Sequence, residues 1–327
     1  MVLRSMPPPA WLSEEAPHGE IVLSSRTRLM RNLQGQRFPW RAGAAESVET
    51  MRAILDAARD EAPDLVAYRA LTQAERDHYV GCRLVSPDFA WHLPGRALLI
   101  DRDQRIGVMV NEEDHLRLQA LTPGWSIPAS REAAEDALNR IGRRMEWAWS
   151  PRFGYLAASP TNLGEGQRHS AMFHLIGLAH TRRLSDVLKA LSVEGIVVRG
   201  LFGESSRAIG AFVQVSVQTR PTAEFIGACD YLLSAERAAR ADVDAPTLGE
   251  RARAARDFAL SHHDLSLADA LRALAWFRWA SAAGIAGFPR AVRDVDAALT
   301  RLEVQSLHGE QEAARRRAEV IRDLVEE

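Results

Sequence analysis

Leu98-Leu99-Ile100-Asp101-Arg102-Asp103-Gln104-Arg105-Ile106-Gly107-Val108-Met109-Val110 is the stretch whose pattern decides the fold. Two short apolar runs flank a polar turn, which predicts a β-hairpin rather than a helix. The pattern recurs at Ile196-Val197-Val198 and Phe212 to Val217, on either side of a Gly-rich turn. Ile21-Val22-Leu23 opens another strand that runs into Ser24-Ser25-Arg26-Thr27-Arg28. Helical spacing marks Ala44 to Ala62 through Val48, Met51, Ile54, Leu55 and Ala58, and Arg131 to Ala148 through Ala134, Leu138, Ile141 and Met145. Ser170 to Leu191 also reads as a helix, with Gly177 weakening its middle. Residues 1–20 read as an irregular arm. Strands that pair in hairpins, without regular βαβ alternation, predict an α+β fold, an antiparallel sheet flanked by helices.

Beyond residue 232 the character changes. Ser234 to Leu260 is rich in Ala and Arg, Leu267, Leu271, Leu274 and Phe277 repeat at helical spacing, and Val292, Val295, Leu299 and Leu302 resume it after a Gly-Pro break. The expected organisation is a mixed domain over 1–232 and an all-helical C-terminal domain over 233–327. A length of 327 residues fits two domains at ~150 residues each.

Composition narrows the function. With 46% hydrophobic and 26% charged residues this is an ordinary soluble globular chain. A net charge of −2 argues against a surface built for nucleic acid, though not against a local basic site. Cys82 and Cys229 form neither a disulfide framework nor a zinc motif. The first residues carry Pro7-Pro8-Pro9 and no apolar core, so no signal peptide is expected; nor is a membrane span, which needs ~20 apolar residues. A cytoplasmic protein is the expectation. Lys189 is the only lysine and follows Leu188, which rules out a Gly-x-x-x-x-Gly-Lys phosphate loop.

Four segments place charge where packing has no use for it. In Ser24 to Arg28, strand alternation puts Arg26 and Arg28 on one face, either as an exposed pair or around an anion. Asn111-Glu112-Glu113-Asp114-His115 closes an apolar run, with Arg117 read as one helical turn on; it is either a solvated turn or a carboxylate at a cleft mouth. Gly154 to Met172 holds Ser159-Pro160-Thr161-Asn162 and Gly164/Gly166, and reads as a loop leading into a helix with Arg168 at its start, a place for an anion. Arg199-Gly200-Leu201-Phe202-Gly203-Glu204 is a turn with opposite charges whose glycines admit a ligand close to the backbone.

In this order, Ser-Ser-Arg-x-Arg, Asn-Glu-Glu-Asp-His-x-Arg, Pro-Thr-Asn-x-Gly and Arg-Gly-x-x-Gly-Glu, the four segments resemble the catalytic domain of the phosphagen (guanidino) kinases, and most of all the bacterial protein-arginine kinase branch. The resemblance covers residues 18–230 closely and the tail more loosely. It implies an ATP-dependent phosphotransferase acting on arginine residues in proteins; a kinase of small guanidines, or a regulatory protein with a weakened site, are the alternatives. Arg26, Arg28, Arg117, Arg168 and Arg199 would cage the ATP phosphates, with Mg²⁺ held through the phosphate oxygens. The implied nucleotide set also takes in Ser24, Ser25, Thr27, Arg83, His169, Ser170, Ala171, Met172, Gly200, Leu201, Phe202 and Gly203. Glu113 and Glu204 would clamp the acceptor guanidinium, with Ser159 beside them. The partners implied are arginine-bearing protein substrates, an activator protein, a Clp-type protease and a second copy of the chain, with the tail serving dimerisation and substrate docking.

Three departures from the family pattern stand out. Ser159 replaces a reactive cysteine, so a neutral hydroxyl stands where the family offers a thiolate. Arg83, before Leu84-Val85-Ser86-Pro87, replaces a histidine of the nucleotide site. Near the C-terminus, Ala313-Ala314-Arg315-Arg316-Arg317-Ala318 lacks the first Arg and the Asp of the branch's phosphoarginine-sensing motif.

Overall fold

Strand β1 (Val22–Arg31) is buried almost throughout, although its middle reads Ser-Ser-Arg-Thr-Arg. A strand this polar is buried only where tertiary structure encloses both faces. The computed structural model, which describes residues 8–12, 15–201, 208–217, 221–303 and 309–326, shows how. After β1 come α1 (Ala44–Glu61), β2 (Leu65–Tyr68), α2 (Gln73–Gly81), β3 (Ala97–Asp101), β4 (Ile106–Val110), β5 (Leu116–Pro123) and α3 (Ile127–Gly142). A small hairpin of β6 (Trp149–Ser150) and β7 (Gly154–Tyr155) precedes β8 (Gln167–His174), α4 (Ile176–His180), α5 (Leu184–Val193), β9 (Ile196–Gly200) and β10 (Phe212–Val217). Five helices complete the chain: α6 (Thr222–Ala241), α7 (Ala245–Ser261), α8 (Leu267–Ala282), α9 (Val292–Arg301) and α10 (Glu310–Glu326).

Eight strands form one sheet in the order β2-β3-β4-β5-β1-β8-β10-β9. Every pairing is antiparallel, as the hairpins at 98–110 and 196–217 predict. On one face, α1 and α3 pack on Leu29, Val108 and Leu118, while α3 to α6 cover Ala171, Phe173 and Val215. On the other face the α7–α10 group packs against Leu23, Met172, Leu201 and Phe212, and a second cluster gathers Trp11, Tyr79, Leu84 and Leu98. Among the described residues no helix is long and apolar enough to cross a membrane.

Four expectations change. Residues 167–174 are the strand β8, not the start of a helix, and helix resumes only at Ile176 and Leu184. Wedged between β1 and β10, this short run gains two ladders of backbone hydrogen bonds, which outweigh its helical spacing. Arg117 likewise lies on β5, not on a helical turn. The boundary expected at 232/233 falls inside α6, whose Phe225, Cys229, Leu232 and Leu233 all join the sheet's core. The helix expected over 131–148 begins earlier, at Ile127, and ends at Gly142.

Two buried ionic knots fasten the terminal helices to the sheet. Arg278, fully buried on α8, forks onto Asp296 of α9 at 2.7 and 3.1 Å and donates to the carbonyls of Gly19 and Glu20 at 2.6 and 2.9 Å. Glu236 accepts from the backbone N–H of Gly177 and Leu178 and from Arg240, which in turn donates to the Glu20 and His174 carbonyls. Breaking a buried pair from one side leaves the other charge uncompensated, at a cost of ~3–5 kcal/mol. Arg278→Met should therefore lower unfolding stability by about 3 kcal/mol in urea melts; an unchanged midpoint would show that Asp296 is solvated without its partner.

Candidate active site

Register gathers the basic residues. Arg28 of β1 stands opposite Gln119 of β5 and Arg168 of β8; Arg26 stands opposite Ser170, and Gln214 of β10 opposite Arg199 of β9. Directly paired residues share a face, so four strands deliver their guanidiniums to one side of the sheet. The polar neighbours on that face serve them. Arg26 donates to Ser170 Oγ (3.2 Å), Gln119 Oε1 (3.4 Å) and Gln214 Oε1 (2.8 Å), and Arg168 to Ser216 Oγ (3.0 Å). Arg83 enters from the end of α2 with a left-handed backbone (φ 62°). Its carbonyl accepts from Gln119 Nε2, and one face of its guanidinium lies 4.6 Å from the Trp11 ring centre.

The set is electrostatically unfinished. Burial, reinforced by Arg83, Arg117, Arg168 and Arg199, pushes the Arg26 guanidinium down to about 9. Arg28 is pushed well below its ordinary range by burial and by Arg26, Arg117, Arg168 and Arg199. Its Nε and Nη2 are buried with no hydrogen-bond partner among the described residues. Buried donors of one sign, crowded and incompletely satisfied, call for a multivalent anion.

The acidic run at 112–114 divides its labour. Glu112 Oε2 takes Arg117 Nη1 at 2.7 Å and the Glu113 N–H at 3.2 Å. Glu113 is exposed at the rim. Asp114 is fully buried and accepts from Asn32 Nδ2 (2.6 Å) and from the Ala158 N–H (2.7 Å), and burial raises its carboxyl above the usual range. The residue beside Glu113 thus holds the residue beside Ser159. Ser159 itself shares a 2.9 Å hydrogen bond with Thr161. Next to Asp114, His115 accepts the Leu33 N–H at Nδ1 and donates from Nε2 to the Arg37 carbonyl, a neutral ring whose pKa burial lowers. Arg31 clasps the far end of the same loop. Its Nη1 donates to the Met30, Glu165 and Gly166 carbonyls, and its guanidinium lies 3.6 Å from the Tyr155 ring centre. A Cβ on Gly166 would stand 2.5 Å from that Nη1, and its φ of 59° suits glycine.

Several residues expected at the nucleotide face away from this cage. Ser25 bonds the Gly124 carbonyl and the Ser126 N–H at the start of α3; Thr27 bonds Ser130 and His169 Nδ1, and Ala171 joins the core beneath α6. Strand alternation sends them to the opposite face, so the motif's odd positions are structural and only its even ones carry charge toward the cage. Ser24, Ser170, Met172, Gly200 and Leu201 lie on or beside the cage face, Met172 and Leu201 within the core shared with α7–α10. Phe202, Gly203 and Glu204 lie outside the described residues. The arginine on β8 is in the cage, but a strand holds it there, not a helix terminus. Arg31, Asn32 and Asp114 are the positioning residues that sequence reasoning passed over. Their only mark in the sequence is polarity continuing past the end of an apolar strand.

A sheet face lined with arginine and amide side chains, with a carboxylate and a hydroxyl loop at its rim, defines a phosphate-handling enzyme site. The family model of the ATP:guanido phosphotransferase C-terminal catalytic domain matches residues 46–222. The chain is 37% identical over 211 residues to the protein-arginine kinase of Halothermothrix orenii, covering 64% of this chain and 60% of that one. It is 36% identical over 244 residues to that of Geobacillus stearothermophilus (71% and 67%) and 32% identical over 265 residues to that of Brevibacillus brevis (79% and 72%). The matched part thus spans about 60% of the first of these relatives. Among solved structures, a lombricine kinase aligns with a TM-score of 0.61 at 24% identity, covering 73% of this chain and 74% of the other. The duplicated taurocyamine kinase of Schistosoma mansoni, with transition-state-analogue components bound, aligns at 0.62 and 21% identity, covering 72% and 35%. This chain belongs to the ATP:guanido phosphotransferase family.

Arg28→Met removes one repelling, incompletely bonded charge and fills its volume with an apolar chain. The ligand-free protein should gain about 1 kcal/mol of stability and lose at least about tenfold in ATP affinity. Thermal melts with and without ATP read both: a raised baseline melting temperature and a vanishing ATP-induced shift.

Proposed function

We propose that the chain is an ATP-dependent phosphotransferase that phosphorylates arginine residues of proteins, working in the cytoplasm as a homodimer. The observation that carries the reading is the cage itself, whose Arg26 and Arg28 pair with no carboxylate among the described residues. ATP is the substrate the family acts with, and its phosphates are the anion such a cage suits. Mg²⁺ fits this face only through the phosphate oxygens, because the protein presents guanidiniums and amides there. Among the described residues no group of three His, Cys, Asp or Glu side chains could hold a metal. Bound in that way it would draw charge from the oxygens of the transferred phosphoryl group.

In the proposed reaction a guanidinium nitrogen of the acceptor arginine forms a bond to the γ-phosphorus, the bond from that phosphorus to the ADP oxygen breaks, and one guanidinium proton leaves. The arginines hold the phosphates in line and offset the charge that builds on the leaving oxygen. Glu113, set at the rim by the Asp114–Ala158 tie, orients the acceptor and accepts the proton. Glu204 is assigned the second clamp by the resemblance of its motif. Ser159 supplies a neutral hydrogen bond where the family's thiolate would supply a charged one. Phosphorylated proteins passing to a Clp-type protease, and an activator protein, belong to the same reading.

Incubation with Mg-ATP and an arginine-rich protein, read by mass spectrometry for acid-labile phosphoarginine, tests the activity. Product is expected with the native chain and not with Glu113→Ala. Consumption of free arginine or creatine-like compounds, with no phosphoarginine on protein, would move the reading to a small-guanidine kinase. ATP binding without any product would make the chain a regulatory relative. Replacing a neutral hydrogen bond by a charge-assisted one gains ~1.5 kcal/mol, so Ser159→Cys should raise kcat about tenfold; an unchanged kcat would show that position 159 does not touch the acceptor.

A further inference from the structure

Of the three acids at 112–114, Glu112 touches both halves of the site. A single oxygen, Oε2, accepts from Arg117 Nη1 at 2.7 Å and from the main-chain N–H of Glu113 at 3.2 Å. Arg117 belongs to the cage. On β5 it lies two positions from Gln119 and so on the same face, opposite Met30 of β1 and Met109 of β4. Its charge adds to the burial that lowers Arg26 and Arg28. Glu113 stands at the rim. One carboxylate oxygen therefore joins a phosphate-side guanidinium to the backbone that carries the acceptor-side acid.

The turn leaves Glu112 little freedom. Asn111 takes a left-handed backbone (φ 52°), and its N–H closes the turn onto the His115 carbonyl at 3.0 Å. The buried Asn111 amide donates to the carbonyls of Ser47 (2.8 Å) and Gly95 (2.7 Å). Arg96, whose guanidinium lies 5.2 Å from the Phe89 ring centre, donates to the Glu112 carbonyl at 3.4 Å. At the far end Asp114 is anchored on Asn32 and the Ala158 N–H. The Glu112 and Arg117 side chains are 13% and 19% exposed, against 42% and 46% for Glu135 and Arg131, a surface pair of the kind that contributes little. A carboxylate in this place also repels the phosphates that Arg117 attracts. Affinity for ATP gives no reason for it. A fixed Arg117 and a fixed Glu113 do.

We propose that Glu112 is a positioning residue that sets the two halves of the site in line, holding Arg117 toward the phosphates and the Glu113 main chain toward the acceptor. The inference rests on the reading of the cage as a protein-arginine phosphotransfer site. In-line transfer needs the phosphorus and the attacking nitrogen aligned, and a small misplacement costs rate before it costs affinity. Glu112→Ala should therefore lower kcat for phosphorylation of an arginine-bearing protein at least about tenfold. Its Kd for Mg-ATP, read by calorimetry, should hold or tighten, because Arg117 remains and a repelling charge is gone. Glu112→Gln keeps an oxygen that can accept both hydrogen bonds, and should recover at least about a third of the native kcat. With Arg117→Gln in the background, Glu112→Ala should cost less than it does alone, since the two residues act as one unit. Native kcat in Glu112→Ala would overturn the proposal and leave the phosphotransferase reading standing. So would a loss of kcat accompanied by weaker Mg-ATP binding and a lower melting temperature, which would make the pair a fastener of the turn. Glu112→Gln as slow as Glu112→Ala would overturn it as well, by showing that the charge acts and not the two hydrogen bonds. Absence of phosphoarginine with the native protein would instead take down the phosphotransferase reading, and this role with it.

Discussion

Repulsion among guanidiniums buried on one face of β1 is the constraint on which the structure turns. Arg26 and Arg28 lie in the middle of the sheet, where water is scarce and where Arg168 and Arg199 are brought close by register. Among the described residues no carboxylate pairs with Arg26 or Arg28. Instead Gln119, Ser170, Gln214 and Ser216 supply hydrogen bonds without opposite charge. Amides and hydroxyls satisfy part of the donor capacity and leave the electrostatic demand in place, which an anion can meet. The stability lost there is made up by burial on both sides of the sheet and by the Arg278–Asp296 and Glu236–Arg240 knots.

The rim is built by a different device. Polar groups at the ends of β1 and β4 tie the turn at 112–115 to the loop at 154–166. Asn32 accepts from the His115 N–H and donates to Asp114, which reaches Ala158, while Arg31 grips the carbonyls at 165 and 166. The turn at 112–115 and the loop at 154–166 therefore move as one piece, and Glu113 and Ser159 keep a fixed relation although one is exposed and the other sits on a loop. The site is rigid because its neighbours are buried, not because its own residues are.

Much of this was legible in the sequence. Apolar runs split by short polar turns gave the antiparallel pairs at 97–110 and 196–217, and helical spacing gave α1 and the terminal helices. Alternation placed Arg26 and Arg28 together. Other features could not be seen. Residues 167–174 satisfy helical and strand spacing alike, and only two flanking strands decide between them. Ser25, Thr27, His169 and Ala171 sit within the same motifs as the cage arginines, and the pleat, not the motif, sends them to the opposite face. The break in composition near residue 232 marks where helices alone continue, but α6 runs through it because its apolar side is needed by the sheet.

The sequence by itself determined the chemistry available: which residues carry charge, their order along the chain, the absence of a lysine phosphate loop and the local pairing of neighbouring strands. These depend on side-chain type and on contacts a few residues apart. Only the tertiary structure decided which arginines share a face, how the three acids at 112–114 divide between ion pair, exposed rim and buried strut, and where α7–α10 lie on the sheet. The shared arginine face and the placing of Asp114 depend on pairing between residues far apart in the chain, 144 positions for Arg26 with Ser170 and 82 for Asn32 with Asp114. The energy that selects such pairings comes from burial and register in the finished sheet, which no local pattern encodes.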